Sequence, residues 1–400
     1  MSEMLITHAR IASMQAIEAP FGELEANSVR VRDGVITEIG HNLTTTGTET
    51  HIDAKGQWLL PGFIDCHTHI VYGGDRADEF ARRLEGVSYQ QISQEGGGIK
   101  RTVRDTRATS EDELRSQSAR RVARLVEEGV TTIEVKSGYG LDTETERRQL
   151  RVADALAREF GITVKKTYLG AHAMPPDCDT DADAYIDFVC NTMIPQIASE
   201  GLADAVDVFC ENVGFTLAQT ERVFTAAKQA GLPVKGHVEQ LSDSKGARLA
   251  AQYQALSVDH LEYLHSDDID ALRQAGTVAV ILPGAFYYLK ETQEPPIQAL
   301  RDAGVRMAVA TDINPGTSPV ASLLTSANMA SVLFAMTTEE VIRGMTVHAA
   351  AALGLTDRGV IDTGKRADLT LWAIPSPASL VYEINGYRPT QVISGGKHVI

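Results

Sequence analysis

Trp58-Leu59-Leu60-Pro61-Gly62-Phe63-Ile64-Asp65-Cys66-His67-Thr68-His69 runs an apolar, strand-like segment straight into a His-x-His pair. In an extended segment, residues two apart point to the same face. His67 and His69 therefore leave one side of a strand end, where two imidazoles can grip one metal ion. A histidine pair on its own is more often structural than metal-binding. Its weight depends on what the rest of the chain places at other strand ends.

Downstream, short apolar segments alternate with amphipathic ones. The expected strands are 63–65, 131–135, 163–168, 205–209, 234–237, 257–260, 278–282 and 307–310. Helical patterns lie between them, as over 111–128, 145–160 and 217–231. Apolar, β-branched strands alternating with helices imply a parallel sheet. Eight such units over roughly 300 residues predict an α/β fold of the TIM (β/α)8 barrel type. A doubly wound open sheet is the alternative. Polar candidates at the C-terminal ends of many strands favour the barrel, where enzymes of that fold build their sites.

The two ends of the chain read differently. Val29-Arg30-Val31-Arg32, Asp33-Gly34 and Val35-Ile36-Thr37-Glu38-Ile39 form a hairpin pattern around an Asp-Gly turn. The C-terminal region offers strand-like runs at 368–372, 381–384 and 390–393. Neither end alone has enough strands for a stable sheet. Residues 1–57 and 358–400 are therefore expected to pair as one small β-sandwich domain, with 58–357 forming the barrel.

Composition narrows the function. The 400 residues include 53 acidic and 37 basic side chains, for a formal charge of −16. That balance argues against a nucleic-acid or anionic-membrane surface, but allows a small anionic substrate met by a local arginine. The cysteines, Cys66, Cys178, Cys190 and Cys210, form no C-x-x-C pair. A reducing, cytoplasmic setting is expected. No apolar run approaches membrane-spanning length, and Met1 to Ala9 carries no signal-peptide pattern.

Three more patches fall at expected strand ends: Gly236-His237-Val238-Glu239-Gln240, Asp259-His260-Leu261-Glu262 and Thr311-Asp312-Ile313-Asn314-Pro315-Gly316. Each has a plain structural reading, such as a core histidine or an Asn-Pro-Gly turn. Their joint placement at strands one, five, six and eight resembles the amidohydrolase superfamily, across nearly the whole chain. Five contiguous patches sharpen the match: Tyr72–Arg76, Ile92–Ile99, Glu134–Leu141, Leu169–His172 and Asn314–Thr317. They are similar to the members of that superfamily that hydrolyse the ring C–N bond of 4-imidazolone-5-propanoate in histidine degradation.

The resemblance implies a set of roles. His67, His69, His237 and Asp312 would bind one zinc or iron ion per subunit. Asp312 would move protons, and His260 would orient water or stabilise an oxyanion. Arg76 would hold the substrate carboxylate, a task suited to a guanidinium. Tyr139, His172, Gln240, Asn314, Gly316 and Thr317 would complete the substrate contacts. A homodimer is expected, with no nucleic-acid or membrane partner.

Two departures bear on the chemistry. Deaminases of the superfamily carry a Glu three residues after the strand-five His, where this chain has Gln240. The nearby acid is Glu239, a catalytic candidate one residue earlier than that position. Binuclear relatives use a lysine at the end of strand four, which here reads Phe209-Cys210-Glu211-Asn212. One metal is expected, with Glu211 as the residue able to recruit a second. The alternatives are another aminohydrolase or cyclic amidase of this fold, or an inactive metal-binding scaffold.

Overall fold

The computed structural model describes residues 3–88, 91–92 and 95–399. Ser93 and Gln94 of the Ile92–Ile99 patch, and Met1 and Ser2, lie outside the described residues. Eight parallel strands follow one another around a single sheet: β1 Phe63–Asp65, β2 Val130–Lys136, β3 Thr163–Ala171, β4 Ala205–Cys210, β5 Gly236–Val238, β6 Ser257–His260, β7 Val278–Ile281 and β8 Met307–Val309. These match the expected strands except at their ends. Helices such as Glu111–Val126, Thr143–Phe160 and Leu217–Gln229 lie between them, capped by Ser110, Asp142 and the Thr216/Gln219 capping box.

The ring closes just beyond the ends of β1 and β8. Asp312 N donates to His67 O at 3.0 Å, and His69 N donates to Ile313 O at 2.9 Å. Asp65 reinforces the seam by accepting from Thr311 N at 3.1 Å and Thr311 Oγ1 at 2.6 Å. Barrel closure thus brings His67, His69 and Asp312 side by side, although 243 or more residues separate the histidines from Asp312 in sequence (312 − 69 = 243).

Two further sheets use both chain ends. One holds Val35–Gly40, Ser28–Arg32, Glu3–Thr7 and Thr50–Asp53. The other holds Lys397–His398, Gln391–Ser394, Leu369–Trp372, Trp58–Pro61, Arg10–Ala12 and Glu23–Leu24. Alternation along Trp58–Pro61 explains how the second sheet serves two layers. Leu59 joins the core shared with Met4, Ile6, Val29 and Val31, whereas Trp58 and Leu60 join the barrel core. Trp372 likewise turns to the barrel, its ring 5.6 Å from that of Phe63.

One expected strand is absent. Residues 381–384 form no strand; Ser379–Tyr382 is a short helix. Leu380 and Val381 are buried, and Asn328 Nδ2 donates to Val381 O at 2.9 Å, docking the turn on helix Leu323–Phe334. The run Val-Tyr-Glu-Ile is too short for its pattern to separate strand from helix, and the Pro375-Ser376-Pro377 segment before it starts a helical turn instead. No helix among the described residues is long and apolar enough to cross a membrane.

Candidate metal centre and substrate pocket

The C-terminal face of the barrel opens into a cavity of about 470 Å³. Its walls include His69, His237, His260 and Asp312, together with Arg76, Tyr139, His172, Gln240, Asn314, Gly316 and Thr317. The structure therefore gathers every expected substrate contact around one space. His67 lies behind this wall, fully buried.

Three imidazoles converge. His69 Nε2 is 3.3 Å from His67 Nε2 and 3.2 Å from His237 Nε2. Asp312 Oδ1 is 3.3 Å from His67 Nε2 and 3.5 Å from His69 Nε2. Burial pushes His67 and His69 well below the usual histidine range, so these rings are neutral. His67 Nδ1 lies 2.6 Å from Asp259 Oδ2 and donates to it, which leaves its Nε2 a lone pair facing the other nitrogens. The His67 lone pair therefore faces the other two imidazoles and the Asp312 carboxyl, a set of donor atoms that one cation could share. Donor atoms about 2.1 Å from a shared ion and about 100° apart would lie about 3.2 Å from one another. The spacing fits that arrangement, and among the described residues His67, His69 and His237 form the one group with this metal-holding geometry.

Charged residues underlie the centre. Lys136, on β2, is fully buried, with Nζ 2.7 Å from Asp207 Oδ2, 3.0 Å from Glu134 Oε2 and 3.5 Å from Asp259 Oδ2. Asp207 Oδ2 is 3.1 Å from His237 Nδ1. Burial raises the Asp207 carboxyl, but His237 and Lys136 outweigh it and hold the group well below its ordinary range. Burial likewise opposes charge on Lys136, yet Asp207, Glu134 and Asp259 keep the ammonium well above the usual lysine range. A charged residue inside an apolar strand, as in Val206-Asp207-Val208, was the available sequence signal for this layer.

The rim is fixed mainly by backbone groups. Arg76 Nε donates to Glu79 Oε2 at 2.9 Å, and Glu79 also accepts from Gly98 N. The glycine-rich stretch before Ile99 thus pins the carboxylate that aims Arg76. A Cβ on Gly316 would come within 2.5 Å of Arg76 Nη1, so only glycine lets the guanidinium reach this position without a shift. Asn314 Oδ1 accepts from Gly316 N at 2.8 Å and Thr317 N at 2.7 Å, shaping that turn. Glu146 accepts from Gly138 N, Gly140 N and Leu141 N and folds the loop that carries Tyr139. The register of β3 shifts between Tyr168 and Ala171, just before His172, whose ring stacks on His69 at 5.3 Å. Burial lowers His172 to about 4, so it is neutral at physiological pH.

His260 and Leu261 have φ of 84° and 77°, and Asp312 has φ of 52°. Left-handed backbone at non-glycine residues carries strain, and here it falls at the ends of β6 and β8, where His260 and Asp312 face the cavity. Burial pushes the Asp312 carboxyl well above its ordinary range, an imbalance that a bound cation would offset. Glu239 is not brought to the cavity. Its carboxylate accepts from Gly246 N, Ala247 N and Ser244 Oγ, and burial raises it to about 7. Glu211 is committed to Leu241 N at 2.9 Å and Ser242 Oγ at 2.5 Å, on the loop after β5. Arg83, Ile99, Phe209 and Glu291 also line the cavity, unforeseen from sequence. The signal for Arg83 was its spacing of seven residues, two helical turns, from Arg76.

A family model described as "Amidohydrolase family" matches residues 58–399. An imidazolonepropionase of Alteromonas mediterranea is 58% identical, covering 99% of each chain. One from Pseudomonas putida is 50% identical, covering 98% of each. Among solved structures, triazine hydrolase from Arthobacter aurescens aligns with a TM-score of 0.76 at 17% identity, over 100% of this chain and 94% of that one. A 5-methylcytosine deaminase from Klebsiella pneumoniae aligns with a TM-score of 0.76 at 17% identity, over 99% and 97%. At such identities the structural likeness speaks for the fold alone.

Proposed function

We propose that this chain, which belongs to the amidohydrolase family and within it to the imidazolonepropionase family, hydrolyses the ring amide of 4-imidazolone-5-propanoate to N-formimidoyl-L-glutamate in histidine degradation. The observation that carries the reading is the pairing, in one cavity, of a metal-holding histidine cluster with an arginine aimed by Glu79. The first suits hydrolysis, and the second suits a substrate bearing a carboxylate.

His67, His69, His237 and Asp312 would hold one zinc or iron ion, a donor set of three imidazoles and a carboxylate that suits either. When bound, the ion would lower the pKa of water and polarise the ring carbonyl. Arg76 binds the propanoate carboxylate through its Nη edge. Tyr139, His172 and Gln240 enclose the ring, and the Asn314–Thr317 turn sets the distance between ring and arginine. Water adds to the carbonyl carbon, and the C–N bond of the ring breaks. Asp312 takes the water proton and returns it to the leaving nitrogen, while His260 stabilises the charge that develops on oxygen. Gln240, with no titratable proton, leaves the shuttle to Asp312.

The test follows loss of imidazolonepropionate absorbance by the purified protein, before and after chelation and on return of zinc or iron. Turnover without ammonia release, lost on chelation and restored by metal, is expected. No turnover in any metal form overturns the reading, and ammonia release points to a deaminase.

A further inference from the structure

Barrel interiors of this type are filled by layers of side chains from alternate strands, normally Val, Ile and Leu. Here the layer beneath the histidines is charged. Lys136, Asp207 and Asp259 come from β2, β4 and β6, and all three are fully buried. Burying charges costs free energy unless geometry and partners are very good. A layer of apolar residues would fill the space at less cost.

The contacts share atoms in a telling way. Asp207 Oδ2, 2.7 Å from Lys136 Nζ, is the oxygen 3.1 Å from His237 Nδ1. Asp259 Oδ2, 3.5 Å from the same Nζ, is the oxygen 2.6 Å from His67 Nδ1. One ammonium on β2 thereby reaches two histidines, on β5 and beyond β1, each through a carboxylate. Glu134 Oε2 holds Nζ from a third side at 3.0 Å, and Glu134 Oε1 is itself held by Lys235 Nζ at 2.8 Å and Thr167 Oγ1 at 2.5 Å. Swinging away would cost the ammonium all three carboxylate partners and leave Asp207 without its cation.

We propose that Lys136 is a positioning residue for the metal centre: its ammonium sets the two carboxylates that turn His67 and His237 with Nε2 toward the ion. The inference rests on the metal reading of the three-histidine cluster. Partners of this kind orient ligating rings, and losing one commonly costs about 10–100-fold in metal affinity.

The experiment measures zinc dissociation constants of the full chain by chelator competition, and absorption spectra of the cobalt-loaded form. The proteins compared are wild type, Lys136→Met, the pair Asp207→Asn with Asp259→Asn, and all three changes together. Lys136→Met is expected to weaken zinc binding about 10–100-fold and to shift the cobalt bands. In the background lacking both carboxylates, the same change should have little further effect, because Lys136 acts through them. Unchanged affinity and spectrum in Lys136→Met, or an equal loss in both backgrounds, overturns the proposal. If Lys136→Met does not fold, Lys136→Gln, which keeps a donor toward Asp207, is measured in its place. Failure of both to fold also overturns it, since Lys136 would then serve the fold. A wild-type protein that binds no stoichiometric zinc overturns the metal reading instead, before any variant is compared.

Discussion

The floor of the pocket is held by buried charges, its rim by glycines and backbone hydrogen bonds. At the floor, His67 and His237 lie against Asp259 and Asp207, and Lys136 stands behind both carboxylates. At the rim, Glu146 folds the Tyr139 loop, Asn314 folds the Gly316–Thr317 turn, and Gly316 leaves room for Arg76. Rigid strand ends suit the part that must keep its geometry to a few tenths of an ångström. Loops suit the part that discriminates among substrates. Damage at the floor should therefore strike turnover, and damage at the rim should strike KM.

The largest expected effect comes from emptying the floor. Chelation should bring turnover to background, with recovery on zinc or iron, as read by substrate absorbance. Asp312→Asn should follow, lowering kcat about 10²–10⁴-fold, the usual range for a lost acid–base group; a kcat within a few-fold of wild type would remove Asp312 from proton transfer. At the rim, Arg76→Ala should raise KM by a factor matching about 1.5–3 kcal/mol, the worth of a charge-assisted hydrogen bond. A selective fall in kcat there would erase the division between floor and rim. Gly316→Ala should have a smaller effect, on the order of 1 kcal/mol in KM, by displacing the Arg76 guanidinium with its new methyl group.

The smallest effect is one of stability. Burial raises Glu262 to about 8, with Glu291 and Asp312 adding to the rise, and Glu262 Oε2 has no hydrogen-bond partner among the described residues. A carboxyl whose folded pKa lies above its unfolded value binds protons more tightly when folded. Its contribution is most favourable at low pH and is lost as pH rises from about 4.5 toward 8. Glu262→Gln should flatten that part of the stability profile, so that its melting temperature exceeds that of wild type at pH 8 by more than at pH 5. Parallel profiles for the two proteins would show that Glu262 does not titrate in this window.

Much of this was legible before any coordinates. Of the residues marked by these motifs, His69, His237, Asp312 and Arg76 line one cavity, and His67 lies directly behind its wall. Local patterns carried that far because each residue sits where its own strand ends. The misreadings have local causes too. Residues 381–384 have a strand's composition, yet burial of Leu380 and Val381 against a helix accompanies a helical turn over Ser379–Tyr382 in place of a strand. Alternation alone would leave Glu239 on the face of His237; the left-handed backbone at Glu239 (φ 51°) and the backbone amides at Gly246 and Ala247 that hold its carboxylate were invisible in sequence.

The sequence by itself determined the strand–helix alternation, the donor types and their places at strand ends, because these depend on neighbours two to four residues away. Tertiary structure alone decided which of those ends meet. Closure of β1 on β8 set Asp312 against His67, and β2, β4 and β6 brought Lys136, Asp207 and Asp259 into one layer. No spacing along the chain encodes those contacts. They arise from the curvature of the sheet, which turns distant strands to face a shared axis, where buried charges must find one another or remain unpaired.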